Sequence, residues 1–180
     1  MSFVLALILS MTIIFKKEWA PQLAPVYALS EGVVLGAISA IASASMPGVA
    51  SNAIALTLGD LGLMLILYRF QILRATPAFQ KAVIISTGAI ALVYVLDLVM
   101  GIFGHGVPMI HESGRVGILF SLFAVGVASM NFILDFDLIE QAAARRAPKY
   151  VEWYSAFALM LTLVWLYLEI LRLLGKTSRK

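Results

Sequence analysis

The chain is a succession of apolar runs, separated by short breaks that carry Pro, Gly and most of the basic residues. Six runs can be drawn: A over Phe3–Phe15, B over Val26–Ser45, C over Ala50–Tyr68, D over Ala82–Phe103, E over Val116–Asp135 and F over Val151–Leu174. At helical rise, B to F each reach roughly 28–36 Å, enough for a hydrocarbon core of about 30 Å. Segment A reaches only about 20 Å. It opens without a basic leader or a small-residue cleavage site, so it reads as the back half of a spanning helix and not as a signal peptide. The expectation is an all-α, polytopic transmembrane helical bundle, one membrane-embedded domain over residues 1–180.

A single large soluble core is the alternative, and composition disfavours it. Of 180 residues, 62% are apolar and 13% charged, against about 45–50% and about 25% in soluble domains. Too little polar surface is left to cover such a core. Cysteine is absent, which removes disulfides and thiolate chemistry. The net charge of +3 does not indicate nucleic acid, because the basic residues fall in loops between apolar runs.

The breaks agree with the runs. "WAPQLAP" puts Pro25 at the start of B, "SMPG" turns B into C, and Pro77, Pro108 and Pro148 mark the later connections. Lys16 and Lys17 lie between A and B; Arg69, Arg74 and Lys81 between C and D; Arg145, Arg146 and Lys149 between E and F. The other two connections carry only Arg115. The positive-inside rule therefore puts the A–B, C–D and E–F loops in the cytoplasm. Arg172, Lys176, Arg179 and Lys180 break the pattern, so either F is re-entrant or its tail tolerates the wrong side. Trp19, Tyr68, Tyr150, Trp153 and Tyr154 lie near span ends as interfacial aromatics do, whereas Trp165 and Tyr167 read as packing residues.

The most informative side chains are the acids within the runs: Glu31 in B, Asp60 in C, Asp97 in D, Asp135 at the end of E and Glu169 in F, with Asp137 just beyond. A charge at such a place costs roughly 2.5–3.5 kcal/mol on insertion scales and marks function by default. No Lys or Arg lies deep in the same runs to neutralise them. Glu31 and Asp135 are expected roughly 5–8 Å in from the cytoplasmic face, Asp60 near mid-span, and Asp97 and Glu169 toward the outer face. Such a staircase offers oxygen ligands to a hard cation or stations for protons. The plainer readings are a solvated helix end for Asp135 and Asp137, a local surface pair of Glu169 with Arg172, and hydrogen-bonded burial for Asp60 and Asp97.

Other signals are weaker. Asp135 and Asp137 do not open an EF-hand loop, because Glu140 stands where that loop needs Gly. His105 and His111 are six apart, unlike a helical zinc pair, and with Glu112 read as loop polarity. No hydrolase or P-loop signature occurs, and an enzyme is not expected. Gly32, Gly36, Ala40 and Ala44 form a small-residue stripe along B that suits close helix packing, and they would turn the adjoining Glu31 toward a neighbour.

The pieces "APVYALSEGVVLGAIS" (24–39), "NFILDFDLIE" (131–140), "APKYVEWY" (147–154) and "LYLEILRLLG" (166–175) resemble the bacterial branch of the Bax inhibitor family, the transmembrane Bax inhibitor motif proteins. The resemblance covers nearly the whole chain. It implies seven helices, six around a central last one, with the chain beginning near the second, and a bacterial inner membrane as location. It also implies a pH-sensitive calcium leak, with an acid on each of the last two helices sensing protons. Asp135 matches the acid of the penultimate helix, and Glu169 that of the last, with Glu in place of Asp. The stretch between them is longer than in the family, so an inner cluster of Glu31, Asp135 and Asp137 is favoured over a direct Asp135–Glu169 pair.

The leading expectation is a non-enzymatic cation leak or cation-binding membrane protein under proton control, with no resident cofactor. Calcium would be the ion and Asp135 with Glu31 its ligands. The partners are the lipid bilayer, calcium and protons. The resemblance also allows a regulatory protein that binds a membrane-anchored quality-control protease. A proton-coupled transporter is a third reading, though the inverted repeats it calls for are not found.

Overall fold

The computed structural model describes residues 2–102 and 114–178; His105, Pro108, His111 and Glu112 lie outside them. The described residues form helices without a strand. In chain order they are α1 (Ser2–Phe15), a 3-10 turn (Lys17–Trp19), α2 (Ala20–Ser45), α3 (Val49–Arg69), α4 (Pro77–Ile102), α5 (Arg115–Ala144) and α6 (Tyr150–Thr177). Those from α2 to α6 are long and apolar enough to cross a membrane, and α1 is a shorter apolar helix.

Two boundaries differ from the sequence reading. Helix α2 starts at Ala20, so Pro21 takes the first-turn position expected of Pro25, which lies inside the helix. Helix α5 runs through "DLIEQAAA" to Ala144, because Glu, Gln and Ala propagate a helix in water as readily as in lipid. Asp135 therefore stands about 13 Å before the end of its helix, and Glu31 about 16 Å into α2. Between α2 and α3 the chain reverses through Pro47 and Gly48, whose φ of +82° is open to glycine at no steric cost.

Packing is centred on α6, which lies against α2, α3 and α5, while α1 packs on α2 and α4 on α5. One core joins Val49 and Ala53 of α3, Phe132 and Phe136 of α5, and Leu166, Tyr167 and Ile170 of α6. A second joins Ala6 and Ile13 of α1 to Ala24 and Tyr27 of α2 and Phe157 of α6. Tyr27 and Phe157 meet edge to face at 5.0 Å. The outer faces are apolar as well: Leu29, Ile41 and Ile85 are each at least 71% exposed. A surface of that kind is stable against acyl chains and not against water.

Helix α6 is continuous over 28 residues, about 42 Å of helix, so it is not re-entrant. Two of the cations that broke the charge pattern turn into the protein. Lys176 is 5% exposed, and Arg172 bonds within the bundle. They are unlike loop charges, which is what the positive-inside rule counts.

Candidate functional site

The polar interior is built along α6, whose buried face includes Ser155, Thr162, Tyr167, Glu169 and Lys176. It forms two separate stations on α5 and α4. At the first, Glu169 is 1% exposed and is held on every side. It accepts from the Tyr94 hydroxyl of α4, from the Trp165 indole N–H at 3.1 Å, and from Arg172 Nη1 at 3.1 and 3.2 Å. Arg172 also donates to the Tyr94 hydroxyl at 2.6 Å and lies over its ring, 4.9 Å from the centroid. One turn on, Lys176 donates to the Gly117 carbonyl at 3.0 Å and to Ser121 Oγ at 2.9 Å, both on α5.

The pair of Glu169 with Arg172 is thus no surface pair on the acid's side, and the expectation of uncompensated acids fails here. Helical spacing is the reason: positions three and four away on one helix share a face, so Arg172 and Trp165 necessarily border Glu169. Trp165, read from sequence as packing alone, also serves as a donor.

At the second station, half-buried Asp135 of α5 accepts from the Thr162 hydroxyl of α6 at 2.6 Å. No basic side chain joins it among the described residues. Thr162 lies seven residues before Glu169, about 10 Å along α6, so the two acids occupy different levels and do not pair.

Asp137 belongs to neither station. It accepts from Gln80 of α4 at 3.1 Å and from Gln141 at 2.7 Å. Residues two apart on a helix point to nearly opposite sides, so Asp135 faces α6 while Asp137 faces α4. The expected inner cluster with Glu31 is corrected on the same ground and on a second one: α2 and α5 each pack on α6 and scarcely on one another. Glu31 is half-buried one turn on from Tyr27 and makes no hydrogen bond with Asp135. Among the described residues no group of three or more acidic or histidine side chains converges as a metal site would require.

Asp60 lies half-buried on α3 beside Ser129 of α5, with Oδ2 buried and without a hydrogen-bond partner. Asp97 is half-buried on α4, three residues on from Tyr94, and has a contact of its own. Gly32, Gly36, Ala40 and Ala44 are all exposed, and a methyl group added at Gly32 or Gly36 would meet nothing within 4 Å. Among the described residues the stripe therefore faces away from the bundle. The inward face of α2 is the one that carries Ala24, Tyr27 and Ser39, whose Oγ lies 2.6 Å from the Tyr167 hydroxyl.

Sequence reasoning missed Tyr94, Thr162, Gln80, Lys176 and the bond from Tyr68 to Glu140 at 2.5 Å. A polar side chain at the helical position facing a neighbour was the available signal, and it does not say which neighbour.

No curated protein and no solved structure matches the chain. A family model described as Bax inhibitor 1 like matches residues 1–179. With its succession of long apolar helices, the chain belongs to the Bax inhibitor 1-like family and is an integral, multi-pass membrane protein.

Proposed function

We propose that the protein conducts or binds cations, calcium foremost, across the inner membrane of a bacterium under proton control, and that it is not an enzyme. Asp135 is the sensor in this reading. The observation that supports it is a half-buried carboxyl tied to the neighbouring helix by one hydroxyl, with no cation beside it among the described residues. A carboxylate so placed can take up a proton or a metal ion, whereas Glu169 already has a guanidinium. Asp60 and Asp97 are further stations. Neutralising Asp135 alters its bond to Thr162 and lets α5 shift against α6.

Calcium release from proteoliposomes, followed with a trapped dye across a pH series, tests the assignment. Asp135→Asn should abolish the pH dependence while leaving the protein monodisperse. A pH profile unchanged from the wild type would count squarely against it.

A second reading, in which the protein binds and restrains a membrane-anchored protease, draws support from the outward stripe of Gly32, Gly36, Ala40 and Ala44. A partner that co-purifies after every acid is neutralised, together with silent vesicles, would favour it.

A further inference from the structure

Where α5 ends and α6 begins, a half-open cavity of about 380 Å³ lies between the two helices and their connection. That size lies within the range of small-molecule sites. It is lined by Ile139 and Ala143 of α5 and Leu159 of α6, together with the exposed side chains of Arg146 and Glu152. Both helices meet their connection here, at Ala144 and Tyr150, beside Arg145, Arg146 and Lys149, basic residues of the kind that flank a span at the headgroup layer.

Two features of this cavity call for a ligand. Ser155 is 4% exposed, lines the cavity, and its Oγ is buried without any hydrogen-bond partner. Several serines and threonines elsewhere in the spans bond back to their own helix, as Ser30 does to Val26, Thr57 to Ala53 and Ser129 to Val125, and Ser121 is met by Lys176. Ser155 has neither kind of partner, and an unmet buried hydroxyl costs free energy unless something outside the chain completes it. The second feature is a pair of opposite charges in the same lining. Arg146 and Glu152 form no ion pair with each other or with any other described side chain. The backbone at Arg146 is left-handed, with φ of +48°.

We infer that this cavity seats a membrane phospholipid whose headgroup carries both a phosphate and a primary ammonium. The phosphate meets the Arg146 guanidinium, the ammonium meets the Glu152 carboxylate, and an ester carbonyl accepts from the Ser155 hydroxyl. An acyl chain then runs along Ile139, Ala143 and Leu159. An apolar lining, a lone buried donor and one exposed charge of each sign match the groups along such a lipid.

The test is native mass spectrometry of the full chain in mild detergent, with phosphatidylethanolamine or phosphatidylglycerol of matched chains. The wild type should retain the ethanolamine lipid about tenfold better. Glu152→Gln should erase that preference, and Arg146→Gln should weaken retention of both lipids. Both changes are at exposed positions, so either serves if the other misbehaves. Equal retention of the two lipids by the wild type would overturn the inference, as would retention indifferent to both substitutions. Free phosphoethanolamine displacing the lipid at equal concentration would show recognition of a soluble headgroup and overturn the lipid assignment.

Discussion

Glu169 and Asp135 are both carboxyl groups turned toward the interior of one helical bundle, on helices packed side by side, yet their surroundings are opposite. Glu169 has a guanidinium, a phenol and an indole around it. Asp135 has the Thr162 hydroxyl. The first arrangement meets the charge with a matching one and satisfies its lone pairs, which is what a buried ion needs in order to be tolerated. The second leaves a half-buried charge with one hydroxyl and no basic side chain beside it among the described residues. One acid is built as a strut; in the proposed reading the other is where a proton or an ion exchanges.

Removing the strut's cation gives the largest expected effect. Arg172→Met leaves Glu169 buried without its charge partner and should cost about 3 kcal/mol in a reversible unfolding measurement in detergent. That is the low end for a buried pair, since the arginine side chain is 35% exposed. A loss below about 1 kcal/mol would mean that Arg172 acts as an ordinary surface charge, and the contrast between the acids would vanish.

A smaller effect is expected at Asp135. A double-mutant cycle of Asp135→Leu with Thr162→Val should return a coupling of about 1.5–2 kcal/mol, the low end for a hydrogen bond to a charged group because the site is half-buried. Coupling near zero would detach Asp135 from α6. The smallest effect belongs to the stripe: Ala40→Leu should change stability by no more than about 0.5 kcal/mol, because the position is exposed. A larger loss would put a helix against that face.

The succession of spans and the all-helical class were legible because long unbroken apolar runs, unlike the alternating segments of a barrel, leave the backbone in lipid only the helix. Local neighbours were legible too, since Glu169 and Arg172 are three apart on one helix. Partners brought from elsewhere in the chain were not: nothing near Asp135 announces Thr162, and nothing near Glu169 announces Tyr94. Helix ends were misplaced where polar helix formers extend an apolar run, as at 137–144, which moved Asp135 from a terminus to well inside α5. The stripe on α2 was read as a contact face because small residues suit close packing. Small residues are equally tolerated toward lipid, and Tyr27 and Ala24 decide which side of α2 turns inward.

Lys176 has a further mechanical meaning. Its two bonds to Gly117 and Ser121 fasten the far end of α6 to the beginning of α5, about 21 Å along the helix from Thr162. Sliding α6 lengthwise past α5 would break both bonds, whereas a tilt about that end would keep them. In the proposed reading, freeing the Thr162 end would therefore open a wedge-shaped gap, widest at the end away from the lysine.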